Sequence, residues 1–403
     1  MLKTGPKTTT TLIAVFMLCT CIDPYAPKLK DYDSLLVVDG LITDANTSYT
    51  VKLSRTIQNQ NASPEVVSDA TVSITDDAGS NHNLNDKGNG IYKTDSLEFN
   101  GMTGRTYVLH IVTHEGYEYE SDQCMMQPVP DIDSLYYDRD QQLVSNGTQS
   151  QEGISIYLNS KEGDYNQYYR WAFEETWKFG VPDPKKYNFD MADSSITSVA
   201  DIKEYCWKND KSNDILIYSN YSGQAGPVKK QPIFFIVTDK SDRLMIEYSI
   251  LVRQYSISKS EYDFWDNLKK VNETGSDIFA SQPFPVISNI HSINNQGEKV
   301  LGYFQVSAVK QKRIFIPLSE IVRLQLPFYH YDQCKRIEAV PAVGQTWDDL
   351  YMSFCYYSNY YFVEPVYYPG TDKLEKMVFA KRECAICDLT GTRTKPDFWI
   401  DLN

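Results

Sequence analysis

Apolar and β-branched residues gather in short runs along most of this chain, several of them alternating with polar positions. Leu35-Leu36-Val37-Val38-Asp39-Gly40, Ala70-Thr71-Val72-Ser73-Ile74 and Tyr107-Val108-Leu109-His110-Ile111-Val112 are examples. Between such runs stand Asp76-Asp77-Ala78-Gly79, Lys87-Gly88-Asn89-Gly90 and Asn100-Gly101. Glycine and asparagine supply the backbone freedom that tight turns need. Short strands at this spacing predict an antiparallel sandwich over residues 32–128. Pro128-Val129-Pro130-Asp131 follows, where proline fixes the backbone and removes amide donors, and it marks the predicted domain boundary.

Residues 129–403 continue the strand pattern with more aromatic side chains. Tyr168 to Phe173, Thr176 to Phe179, Ile233 to Val237 and Ile246 to Val252 read as strands, the last two joined by the polar turn Asp239-Lys240-Ser241-Asp242. The period changes near 258–274. Ser258 and Glu261 have capping-box spacing, and Tyr262, Trp265, Leu268 and Val271 fall on one helical stripe. Gly275 stands where a left-handed cap belongs. This predicts a helix that covers a sheet and buries Trp265. Strands resume at Lys299 to Val306 and Arg313 to Ile316. The tyrosine-dense run Tyr351 to Tyr368 is expected to contain another, which turns at Pro369-Gly370-Thr371-Asp372 and returns through Met377 to Ala380. The expected fold class is mainly β: two antiparallel β domains, the second with one packed helix.

The start of the chain departs from this pattern. Lys3 and Lys7 precede the apolar run Leu12 to Leu18, and Leu18-Cys19-Thr20-Cys21 has the form of a bacterial lipobox. The run is too short to span a membrane, which needs about 20 apolar residues. The expectation is a signal peptide over 1–20, a lipid on Cys21 and a tether over 21–31. Acyl chains on Cys21 would then hold the protein at a membrane.

The 403 residues carry a formal net charge of −14, which becomes −14 − 2 = −16 without Lys3 and Lys7. An acidic chain repels phosphate backbones, so nucleic acid is not an expected partner. Of eight cysteines, Cys124, Cys206, Cys334, Cys355, Cys384 and Cys387 follow the tether. An even set in an exported chain predicts disulfides, and six allow about 15 pairings. Pairing is expected within the second domain, among Cys206, Cys334, Cys355, Cys384 and Cys387, with Cys124 and at most one other free. Cys384-Ala385-Ile386-Cys387 has redox-motif spacing but no βαβ context, so a structural role is expected.

Catalytic patterns are missing from the sequence: no G-x-S-x-G elbow, H-E-x-x-H helix or phosphate-binding glycine loop occurs. His110 and His114 sit on a predicted strand, where positions four apart lie about 13 Å from each other and do not share a metal. Glu174-Glu175 and Asp348-Asp349 are adjacent and point to opposite faces of a strand. No catalytic residue, metal or cofactor is therefore expected. The 30 tyrosines and six tryptophans are the remaining lead. Tyr351, Tyr356, Tyr357, Tyr360 and Tyr361, with Phe354, are the candidate partner-contact surface, since amphipathic rings suit both protein interfaces and sugar stacking.

Taken in order, Leu35 to Gly40, Arg253-Gln254-Tyr255-Ser256, Phe264-Trp265, Gly302-Tyr303-Phe304 and Lys395-Pro396-Asp397-Phe398-Trp399 resemble one group. It is the Bacteroidota outer-membrane lipoproteins catalogued as domain-of-unknown-function family 4249. The resemblance implies an immunoglobulin-like or transthyretin-like N-terminal sandwich, an outer-membrane lipid anchor and proximity to a TonB-dependent receptor. It brings no catalytic residues. The cell surface is the expected location, with the periplasmic leaflet as the alternative, because only Asp23 lies close to Cys21 whereas surface-exported relatives in this phylum carry several acids there. Asp33-Ser34-Leu35, Asp95-Ser96-Leu97 and Asp133-Ser134-Leu135 match the short sequence O-glycosylated in such proteins, with Ser134 the expected site. The function expected is binding, as accessory to a TonB-dependent transporter in nutrient capture. A free-standing glycan- or protein-binding surface protein and a hydrolase with dispersed residues are the alternatives, and the sequence does not identify a ligand.

Overall fold

The computed structural model describes residues 34–57, 64–95, 99–143, 150–163, 168–220, 226–274 and 286–402. The signal segment, Cys21, the tether, Ser96 and Gly275 lie outside the described residues. Strands dominate, as expected, and they pair mainly antiparallel. Among the described residues no helix is long and apolar enough to cross a membrane.

Two sheets enclose the first core. One runs in the order Leu301–Val306, Leu36–Ile42, Thr50–Arg55, Ile91–Lys93, Asn85–Asp86, with Glu65–Val66 also paired to Thr50–Arg55. The other runs Ile290–Ser292, Glu118–Ser121, Thr106–Val112, Thr71–Asp76, Asn81–Asn83, with Cys124–Met125 also paired to Thr106–Val112. Alternation decides which side chains turn inward: Leu36, Val38 and Ile42 from one sheet meet Val72, Ile74, Leu109 and Ile111 from the other.

Two of these strands come from far along the chain. Leu301–Val306 lies parallel to Leu36–Ile42, with Gly40 opposite Phe304, and Ile290–Ser292 lies antiparallel to Glu118–Ser121. Phe304, Val306, Val300 and Ile290 are buried in the first core. Gly302 sets the close approach: its φ is +85°, and a Cβ there would stand 1.9 Å from the Val38 carbonyl oxygen. The division into 32–128 and 129–403 therefore does not follow the sheets. A strand's partner so far along the chain leaves no local mark in the sequence, which is why the boundary at Pro128 looks complete there.

The second core lies between the sheet Ile132–Leu143, Ser150–Ser160, Gln231–Val237 and the sheet Tyr205–Lys211, Tyr168–Gly180, Glu247–Ser256, Val309–Pro317, with Leu216–Ser219 also on Tyr168–Gly180. Tyr169, Trp171 and Phe173 alternate inward and meet Ile154, Ile156, Ile250 and Val252. Two polar clusters inside are partnered: in one, Trp171 Nε1 donates to Gln254 Oε1 at 3.0 Å. The Glu175 carboxylate accepts from Arg243 at 2.9 Å and from the Tyr248 hydroxyl at 2.8 Å.

The predicted helix spans Lys259–Thr274 (α1), and Ser258 Oγ accepts the Glu261 amide at 3.1 Å as its cap. Its buried face differs from expectation. Glu261 and Phe264 are its buried positions and Trp265 is half-buried, because the helix lies against Tyr303 and Arg170 rather than a wholly apolar sheet.

A smaller C-terminal module follows the six-residue helix α2 (Leu318–Arg323). Its sheet runs Ile337–Ala339, Leu374–Lys381, Tyr360–Tyr367. It encloses Leu350, Cys355, Phe362, Met377 and Phe379, with Phe189 from the Tyr187–Asp190 strand. The run from Tyr351 to Tyr368 contains the expected strand, preceded by a helix that was not expected. A helix, α3 (Trp347–Cys355), takes its first part, capped by a reciprocal Thr346–Asp349 box. Only Tyr360–Tyr367 is strand, and it returns through the turn at Gly370.

Candidate functional site

The change from strand to helix sorts the candidate tyrosines. Tyr351 is half-buried on α3, its ring 5.1 Å from Phe189. Tyr360 packs edge-on to Phe354 at 5.7 Å, and Tyr361 lies under Lys185 at 5.3 Å and Arg382 at 5.0 Å. These three belong to the module's own packing. Tyr356 and Tyr357, just past the helix end, are 63% and 81% exposed. Their loop is held from behind. Arg382 Nη2 donates to the Cys355 carbonyl at 2.7 Å, and the Arg382 amide donates to the Asn359 carbonyl at 3.1 Å. Two amphipathic rings thus stand on a fixed support, an arrangement suited to contact with a partner.

One disulfide clasps this module to the second core and another closes a loop within it. Cys206 on the Tyr205–Lys211 strand joins Cys387, and Cys334 joins Cys384. The two cysteines of Cys384-Ala385-Ile386-Cys387 bond to different partners, in keeping with the structural role expected of them. Cys124 is free, as expected. Cys355, a candidate for pairing, is also free: α3 turns its thiol into the module core, and burial raises its pKa. Ser134 sits on the Ile132–Leu143 strand rather than in an exposed linker. It is half-buried, and its Oγ accepts from Asn159 Nδ2 at 2.8 Å.

A second feature was not foreseen from the sequence. Where the two cores meet, α1, the Leu301–Val306 strand and Cys124–Met125 surround a cavity of about 210 Å³ lined by Cys124, Ser258, Ser260, Glu261, Asn289 and Tyr303. Glu261 is 2% exposed, and Trp265 Nε1 approaches its carboxyl at 3.4 Å. Burial pushes its pKa up to about 7, opposed by the charge of Arg170. Arg170 lies between the rings of Tyr255 at 4.6 Å and Trp265 at 4.9 Å and donates to Gln305 at 2.9 Å. A glutamate on the inward face of an amphipathic helix is the signal that points here. Reading Glu261 as a capping partner concealed it.

Four of the stretches quoted above gather at this junction. Gly40 faces Phe304 across the parallel pair. Gln254 Nε2 donates to the Pro130 carbonyl at 2.8 Å, and Ser256 Oγ to the Pro128 carbonyl at 2.7 Å. Phe264 packs on Tyr303 at 4.8 Å. These residues fix one core against the other. The fifth stretch lies elsewhere, with Trp399 against Phe315 at 5.6 Å and Phe398 beneath Arg313 at 3.6 Å.

A search of curated proteins finds no match. A family match, described as a domain of unknown function, covers residues 22–313, which include the strands of the first core, most of those of the second and the junction, and ends before the clasped module with its exposed tyrosines. The chain belongs to that family, DUF4249.

Proposed function

We propose that the protein is a lipid-anchored outer-membrane protein that works by binding, as accessory to a TonB-dependent receptor, and that the loop carrying Tyr356 and Tyr357 is its contact. The exposure of these two rings on a braced support carries the reading. Large aromatic groups in water gain most from association when they are already positioned, because little side-chain entropy remains to be lost. The lipobox form of Leu18 to Cys21, with the receptor that the resemblance implies, supplies the setting. In it Cys21 holds the chain at the membrane, and the clasped module reaches a partner.

Extraction of native membranes in mild detergent and capture of the protein tests this. A stoichiometric β-barrel partner is expected, and Tyr356→Ala with Tyr357→Ala should weaken its recovery more than about tenfold, the scale of interface hot spots. The melting temperature should stay unchanged. Capture of the lipoprotein alone, or full recovery of the barrel with the double variant, rejects the assignment.

A further inference from the structure

The cavity at the junction of the two cores has a buried floor and an exposed rim. Glu261, Tyr303, Phe304 and Val306 are buried, while Asp122, Met125 and Ser260 are exposed, so the cavity opens to solvent above a buried carboxyl. Arg170 supplies the opposing charge but is committed elsewhere. It donates to Gln305, its faces meet Tyr255 and Trp265, and it makes no ion pair with Glu261. Asn289 is spent on the wall: its carbonyl accepts the Phe304 amide at 2.9 Å, and its amide donates to the Phe304 carbonyl at 2.9 Å. The Tyr303 hydroxyl donates to Ser260 Oγ at 3.2 Å, which leaves its oxygen able to accept. Among the described residues the lining holds two carboxyls, Asp122 and Glu261, and no lysine, arginine or histidine.

We propose that this cavity binds a small organic cation with a primary ammonium group, held by the Glu261 carboxylate, the Tyr303 hydroxyl oxygen and the aromatic wall of Tyr303 and Phe304. A buried carboxylate without an ion pair is costly, and an arriving ammonium supplies the missing charge together with three hydrogen-bond donors. Aromatic faces add attraction for a desolvated cation. The first turn of α1 would by itself favour an anion. Ser258 Oγ already takes the Glu261 amide, however, and an added anion would meet the charge of Glu261 and Asp122. The volume of about 210 Å³ sets the size. At ~30 Å³ for each water it holds about seven, so the ligand has about seven non-hydrogen atoms at most. Binding requires Glu261 ionised, and a proton held there leaves to solvent. Arg170 and Tyr255 face this carboxyl from the second core, and Tyr303 and Cys124 from the first. Burial pushes Tyr303 and Cys124 up to about 12, so both keep their protons near neutral pH. The site does not rest on the reading of the Tyr356 and Tyr357 loop.

Titration calorimetry on the full chain, purified in detergent, tests this with propylammonium chloride as the probe, against 1-propanol and sodium propionate. One equivalent of propylammonium should bind saturably. The alcohol should bind more than about tenfold more weakly, as when one side of a buried charge pair is missing, and propionate not at all. Affinity for propylammonium should rise from pH 6 to pH 8 as Glu261 ionises, because an alkylammonium stays charged across that range. Glu261→Gln should melt cooperatively and bind propylammonium more than about tenfold more weakly. Met125→Trp narrows the mouth from an exposed position and should weaken binding with the floor intact. Glu65→Gln, an exposed carboxylate on another strand, should bind as wild type. Absence of saturable propylammonium binding, propionate binding as well as propylammonium, or wild-type affinity in Glu261→Gln or Met125→Trp overturns the proposal.

Discussion

Glu261 has a stability consequence that can be measured. Its carboxyl is raised from 4.5 to about 7 in the fold, so between those values the folded state holds a proton that the unfolded state has released. Stability from this group is complete below about pH 4.5 and is lost as pH rises through about 7. The loss amounts to about 3 kcal/mol, at 1.36 kcal/mol per pKa unit. Glu261→Gln removes the titration. Chemical denaturation of wild type and variant from pH 4 to 8 should show the variant gaining relative to wild type as pH rises. A difference that stays flat across this range means Glu261 does not carry the shift. At this scale the sequence was legible where a residue's role is local, as where Ser258 caps its helix, and it indicated that disulfides form within the second half without giving their partners. It was illegible for Cys355 and Glu261, because depth depends on which element arrives from elsewhere to cover them.

Among the elements, turns and alternating strands were readable, and α1 was found by its period. The miss was α3. Crowded tyrosines favour strand, yet Thr346 and Asp349 hold the spacing of a helix start, a signal within the sequence that the aromatics outweighed. The distinction matters for substitution. Tyr360 braces Phe354, which stacks on Phe379 at 4.3 Å, so Tyr360→Ala opens the module core. Loss of about 1–3 kcal/mol is expected, the usual range for removing packed groups, with the outward Tyr356 and Tyr357 left in place. Differential scanning calorimetry should lower the melting temperature for Tyr360→Ala and not for Tyr357→Ala. Equal effects would place both rings in the same environment.

For the whole molecule, the important feature is that the first sandwich borrows strands. A fragment of residues 34–128 lacks Phe304, Val306, Val300 and Ile290 from its core and leaves the Leu36–Ile42 edge without its parallel neighbour. It should show no cooperative thermal transition by circular dichroism. Fusing residues 286–308 to it through a flexible linker should restore one. A sharp transition in the short fragment would mean the borrowed strands are dispensable. The proline-rich stretch at 128–131 stands out by composition, whereas the long-range pairing that crosses it has no compositional sign. Synthesis runs from the N-terminus, so the Leu36–Ile42 strand waits until the chain has been made as far as Val306 before its sheet can close. Contacts so distant in sequence slow folding and prolong exposure of unpaired strand edges. The opening third of this protein is therefore the part most dependent on protection while the chain is being made.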